Sequence, residues 1–323
     1  MADILLKHFE QDPHLDFQVE RTFPLLERLG SKAFRPDGKL DWDFLRKAYG
    51  DETYIWGQGT PLEWREEILT LADLESHLKN PTGGSYHLEG YATDSFTVQA
   101  QRKGFCSDLS FIETVIYGFT RADGHLLLGV RGGIDQQGMI LAVPGGAVSF
   151  CSEGNPLQQA VYQEGREEAA ISSQEVGSLE TIGVFRHNAV ENFFVHMLNL
   201  NVPLDEIRQR HRYSIGLYNY VKSTTKGNDN EKEVYVRRLL AQLAQEDPKI
   251  ARDCWENDSV MLVPDEPEAL LKFIDQAQKQ GKGLLPSMLG AFSLYFLHVF
   301  GEQYYGRLRD MPQFTDQVVE GFV

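Results

Sequence analysis

The sequence predicts an α+β protein in which a mixed β-sheet is sandwiched between helices. Three observations carry that prediction. Phe111 to Phe119 reads as a strand, Arg121-Ala122-Asp123-Gly124 as a turn and His125 to Val130 as a second strand. A short apolar strand ending in Val143-Pro144-Gly145-Gly146 leads through a loop into a helix that runs to Ile171. Ser259 to Pro264 reads as a closing strand, followed by a helix from Glu266 to Ala277.

The elements follow in order. Met1 to Lys7 lacks the positive start and long apolar core of a signal peptide. Residues 1–100 are expected to form a mainly helical N-terminal domain, because Asp16 to Leu29, Asp41 to Tyr49 and Pro61 to Lys79 each show apolar residues three and four apart. Pro61 after Thr60 marks a helix start. Asn80-Pro81-Thr82-Gly83-Gly84-Ser85 is a candidate linker, and the alternation from Tyr86 to Gln101 suggests one or two strands. The domain boundary falls between Pro81 and Asp108.

Residues 101–277 form the second unit. Val184 to Asn188 and Phe193 to Leu198 fit further strands. An insertion at about 200–258 is read as a helix from Leu204 to Arg212, a strand from Tyr213 to Val221, an exposed loop from Ser223 to Asn230 and an amphipathic helix from Glu231 to Gln245. Residues 278–323 form a C-terminal helical tail. Its stretch from Leu284 to Phe300 carries no formal charge but is short of the ~20 residues a membrane span needs. It is expected to be buried or to lie at a subunit interface, with a second copy of the chain in a homodimer as the partner that would cover it.

The 323 residues are 42% apolar and 24% charged, the composition of a globular protein. Lys and Arg number 31 against 47 Asp and Glu, a net charge of −16, which argues against a nucleic-acid polymer as partner. Cys106, Cys151 and Cys254 show no paired spacing, which predicts a reduced, cytoplasmic setting, with Cys151 a small packing residue.

The most informative stretch is Leu141 to Ile171. Glu164, Glu167 and Glu168 stand at i, i+3 and i+4 and so share one helical face. Between Gln158 and Ile171 the only cation is Arg166, which points elsewhere, so the ridge calls for an external cation. Hard divalent ions take oxygen ligands and keep room for substrate phosphates. Glycines at 145 and 146 let the backbone bend and approach a ligand closely.

This arrangement resembles the Nudix box, G-x5-E-x7-R-E-U-x-E-E-x-G-U, with U aliphatic. Gly146, Glu153 and the run from Gln163 to Ile171 carry the match, and the three later glutamates are in register. The chain departs from the pattern with six residues between Gly146 and Glu153 and nine between Glu153 and Gln163. Gln163 stands at the arginine position, Gly165 at an aliphatic one and Ala170 at the later glycine. A neutral Gln163 orients neighbouring glutamates more weakly than an arginine, and Gly165 costs the helix about 1 kcal/mol against Ala.

The resemblance implies a Nudix-type sheet and an enzyme of phosphorus anhydrides. The reaction would be cleavage of the pyrophosphate bond of a nucleoside diphosphate linked to another moiety. It implies Mg²⁺ or Mn²⁺ held by Glu164, Glu167 and Glu168, with Glu153, Glu164 and Glu167 as the catalytic set and a later loop glutamate such as Glu256 as another candidate base. Arg131 and Arg186, with Gly145 and Gly146, are the candidate contacts to a small phosphorylated substrate, the arginines being equally suited to pairing with carboxylates. His187 and His196 are read as structural. The alternative is a Nudix-fold protein without turnover that binds a nucleotide or a protein partner.

Overall fold

The computed structural model describes residues 4–22, 67–71, 74–79, 85–94, 97–98, 112–132, 137–150, 154–187, 191–280, 283–315 and 318–320, with isolated positions between 32 and 44. The architecture is mixed α+β, built on one large sheet. Its middle strand is β5 (Glu113–Ala122), which pairs in parallel with β10 (Glu191–Leu200) along nearly its whole length. The other edge of β5 is shared. Thr70 of β3 (Glu67–Leu71) meets Glu113, β8 (Gly145–Ala147) covers Val115 to Tyr117, and β6 (His125–Arg131) joins at Arg121 and Ala122.

The hairpin between β5 and β6 turns at Asp123 and Gly124, both at positive φ, as the Asp-Gly pair predicts. Strand β6 carries β7 (Ile140–Ala142) on one side and β11 (Asn257–Pro264) on the other. Beyond β10 come β9 (Val176–His187), β1 (Ile4–His8) and β12 (Val318–Glu320), whereas β4 (Ser85–Asp94) and β2 (His14–Arg21) lie beyond β3.

Among the described residues of 1–100, strands predominate where a mainly helical unit is expected. Asp16 to Leu29 was expected to be helical, yet β2 occupies its described part. The reason is in the order Leu15-Asp16-Phe17-Gln18-Val19-Glu20, which alternates every second residue, with Leu15, Phe17 and Val19 turned inward. Among the described residues of Pro61 to Lys79, only α1 (Leu74–Lys79) is helical. Ile68 to Leu71 are buried between β4 and β5, and that burial decides for strand. Asp41 to Tyr49 falls mostly outside the described residues.

The strand expected at Tyr213 to Val221 is also corrected, because α3 (Leu204–Thr224) runs straight through it. Ile207, His211, Ser214 and Tyr218 are buried at spacings of four, three and four, one continuous helical face. The expected helix after it is α4 (Asp229–Glu246), opened by an Asn228–Glu231 capping box. Helix α5 (Pro267–Lys279) follows β11 as anticipated.

The sheet's two faces hold different helices. One takes α2 (Pro156–Ala169), whose Leu157, Ala160 and Val161 pack with Ile116, Val148, Val184 and Phe194. The other takes α5 and the uncharged tail helix α6 (Met288–Phe300). Phe292 and Tyr295 of α6 stand 5.2 Å and 4.5 Å from Phe119 of β5, ring centre to ring centre. The cover that the sequence assigned to a second copy is thus supplied by this chain's own sheet. Among the described residues no helix is long and apolar enough to cross a membrane. The tail continues as α7 (Glu302–Arg309), α8 (Pro312–Thr315) and β12, the last a strand where only helix was expected.

Candidate active site

Helix α2 begins at Asn155, whose side chain accepts from the backbone N–H groups of Leu157 and Gln158, with Pro156 at its first position. It ends at Ala170, a non-glycine residue at φ 55° and ψ 40°. Ala170 N–H donates to the Arg166 carbonyl and Ile171 N–H to that of Gly165, which closes the last turn. The Arg210 guanidinium donates to the Ala170 carbonyl at 2.9 Å and pairs with Glu175 and Glu206, fixing this end of the helix.

The buried stripe of α2 runs through Leu157, Ala160, Val161, Gly165 and Glu168, so Glu168 turns fully inward while Glu164 and Glu167 are half-buried. Glu164 rests against Gly146 of β8: a Cβ on that glycine would stand 2.6 Å from the carboxyl carbon. Gly145 meets the Tyr117 ring at a similar distance. Here the Gly-Gly pair makes room for a carboxylate and a ring, a specific steric reason for both glycines. Gly165 is different, since a methyl there would make only ordinary contacts of 3.7 Å and 3.8 Å with Ile171 and Pro144.

Glu168 is 1% exposed, and neither carboxylate oxygen has a hydrogen-bond partner. The Gly145 N–H faces it and favours the charged form without closing a bond. Burial first, then the charges of Glu256 and Glu164, drive its pKa well above the ordinary carboxyl range. Glu164 is raised in the same way, by burial and then by Glu167, Glu256 and Asp253.

Glu167 leaves this group. Arg252 contacts its carboxylate at 2.6 Å while also donating to Asp253, and Gln163, at the family's arginine position, adds a side-chain hydrogen bond to Glu167. The two partners pull in opposite senses: burial pushes Glu167 up to about 7 against the opposing Arg252, whereas the Arg252 pKa is itself raised. The contact distance and the permanent charge of a guanidinium make this an ion pair. The cation that the acidic ridge called for is, at Glu167, a residue of this chain.

The turn at Cys254–Glu256 brings in a fourth carboxylate. Glu256 accepts from Arg131 Nη1 at 3.0 Å, its backbone carbonyl accepts from the Gly132 N–H, and burial raises its pKa against the pull of Arg131. Three further contacts fix the turn. Asp253 N–H donates to the Glu167 carbonyl, Ala251 N–H donates to Ser214 of α3, and Arg237 of α4 stacks 3.5 Å above Trp255. Helices α3 and α4 therefore brace the segment that closes over α2.

The structure thus gathers Glu164, Glu168, Gly145, Gly146 and Arg131 of the sequence-predicted site, and Glu256 with them. Arg186 lies on β9, two strands from β5, where its Nε donates to Asn192. Glu153 lies outside the described residues, as does Cys151. His187 faces Glu191 at 3.7 Å. His196 is buried beside Thr181 and its pKa is depressed to about 3, so it is neutral. Sequence reasoning missed Arg252 and Asp253; the signal for them was an Arg-Asp pair four and three residues before Glu256, in the segment leading to β11.

Among the described residues no three His, Cys, Asp or Glu side chains converge closely enough to enclose a metal ion. The donor chemistry nevertheless suits a hard divalent cation. Glu168 offers two buried oxygens without a partner, and Glu164 and Glu256 are held at unfavourably high pKa values beside it. No family model matches the chain, and no characterised protein matches it by sequence. Among solved structures, DR0079 from Deinococcus radiodurans aligns with a TM-score of 0.32 and 16% identity over 57% of this chain and 81% of that one, a likeness too weak to carry an argument.

Proposed function

We propose that the protein is a Nudix-type, divalent-cation-dependent hydrolase that cleaves the pyrophosphate bond of a nucleoside diphosphate linked to another moiety. The observation that carries this reading is the Glu168 carboxylate, buried with no hydrogen-bond partner beside Glu164 and Glu256. Glu164, Glu168 and Glu256 would hold Mg²⁺ or Mn²⁺. A cation bound there supplies charge neutralisation for the diphosphate and a lowered pKa for a coordinated water.

The chain's own residues do the rest. Gly146 allows Glu164 to sit against the strand, and Arg131 steadies Glu256. Glu167, kept ionised and in one orientation by Arg252, would take the proton from the attacking water. The test is a product-release assay with Mg²⁺ over dinucleotides, nucleotide sugars and nucleoside triphosphates. Turnover that falls at least a hundredfold in Glu168→Gln supports the enzyme.

The Arg252–Glu167 and Arg131–Glu256 pairs favour a second reading, a nucleotide-binding protein of the same type without turnover, because two of the acidic groups already have cations. Tight nucleotide binding with no product release over the whole panel would select it.

A further inference from the structure

On the α2 face of the sheet, three adjacent strands carry a row of polar side chains with unused hydrogen-bonding capacity. Asn192 of β10 is paired in register with Arg186 of β9 on one side and Thr114 of β5 on the other, so the three project from the same face. Asn192 and Thr114 are wholly buried. Arg186 Nε donates to Asn192 Oδ1 at 3.2 Å, which fixes the amide orientation and turns its NH₂ group away. Arg186 Nη2, Asn192 Nδ2 and Thr114 Oγ1 are each buried without a partner.

A guanidinium N–H cannot be silenced by deprotonation, and a buried unbonded donor costs stability. The two nearest carboxylates on these strands, Glu113 and Glu191, occupy the alternate positions and so turn to the opposite face. What the row lacks is an acceptor. It also lies close to the acidic site: Thr114 is two residues along β5 from Ile116, whose cross-strand partner is Gly146, the glycine against which Glu164 rests. Two strand residues span about 7 Å, the scale of one diphosphate group.

We infer that Arg186, Asn192 and Thr114 form an anion subsite that receives a phosphate oxygen of the substrate at one step from the acidic site. The inference rests on the proposed function only for the source of the phosphate. The subsite itself acts without metal, through one cationic and two neutral donors.

The experiment is calorimetric titration of the full-length protein with inorganic pyrophosphate in EDTA, so that no cation can bridge the anion to the glutamates. Wild type should bind. Arg186→Met should weaken binding at least tenfold, and the near-isosteric Thr114→Val should weaken it by a smaller factor while leaving the circular-dichroism spectrum and melting unchanged. Wild type that takes up no pyrophosphate at millimolar concentration, or a folded Thr114→Val with unchanged affinity, overturns the subsite. Pyrophosphate binding that persists in a protein without hydrolytic turnover sustains the subsite while removing the proposed reaction.

Discussion

At the scale of single residues, two glycines that look alike in the sequence have opposite roles. Gly146 sits 2.6 Å, in Cβ terms, from the end of the Glu164 side chain, whereas Gly165 has room for a methyl. Glu164 is flexible enough to swing away from Gly146→Ala, so this variant should melt within a few degrees of wild type. Its kcat/KM should nevertheless fall about a hundredfold, the typical cost of a 1 Å misplacement. Gly165→Ala should do the reverse, gaining up to about 1 kcal/mol in a urea melt with activity unchanged. The need for a glycine before an acidic helix was legible in the sequence. How far each glutamate turns inward was not, because the i, i+3, i+4 pattern puts all three on one face, and Glu167 is set apart from the other two by Arg252, 85 residues further along the chain.

The same residues set a pH dependence. Glu168 has a folded pKa raised well above its ordinary value of 4.5, so in the ionised range the native chain holds a proton more tightly than the unfolded one does. Its contribution therefore destabilises the metal-free protein increasingly as pH rises above about 4.5, and is relieved as pH falls. In EDTA, Glu168→Gln should melt higher than wild type at pH 8, with the gap closing as pH is lowered towards 4.5. A gap that is the same at every pH contradicts the raised pKa.

At the scale of elements, the expected strands and helices held wherever burial agreed with local pattern. Strands β5, β6, β10 and β11 and helices α4 and α5 stand where apolar periodicity put them. The misread elements were β2, β3, the second half of α3 and β12. In β2 and β3 the apolar residues satisfy both a period of two and looser spacings of three and four, and only sheet neighbours decide between them. In α3, Tyr213 and Tyr220 are exposed, and the helix is specified by the buried face of Ile207, His211, Ser214 and Tyr218. The tail helix α6 approaches β9 through Gly290, where a Cβ would stand 2.6 Å from the Phe185 ring. Gly290→Ala should therefore destabilise the fold by about 1–3 kcal/mol in chemical denaturation, the usual range for overpacking a rigid core.

At the scale of the whole molecule, strands from both ends of the chain complete one sheet. β1 pairs with β9, β12 pairs with β1, and β3 reaches β5. Sequence alone separated residues 1–100 from the rest because long-range pairing leaves no local signature, and the tail looked unpartnered because its cover is a distant sheet face. The same long-range assembly builds the acidic site, which takes Gly145 and Gly146 from one strand, Glu164 and Glu168 from a helix and Glu256 from a turn braced by α3 and α4. The central claim is that these buried carboxylates hold a divalent cation. Titration with Mn²⁺ followed by electron paramagnetic resonance tests it directly, comparing wild type with Glu168→Gln at pH 7.5. The account predicts bound Mn²⁺ in wild type and at least a tenfold loss of affinity in the variant; equal affinity in the two, or no binding by wild type, would contradict it.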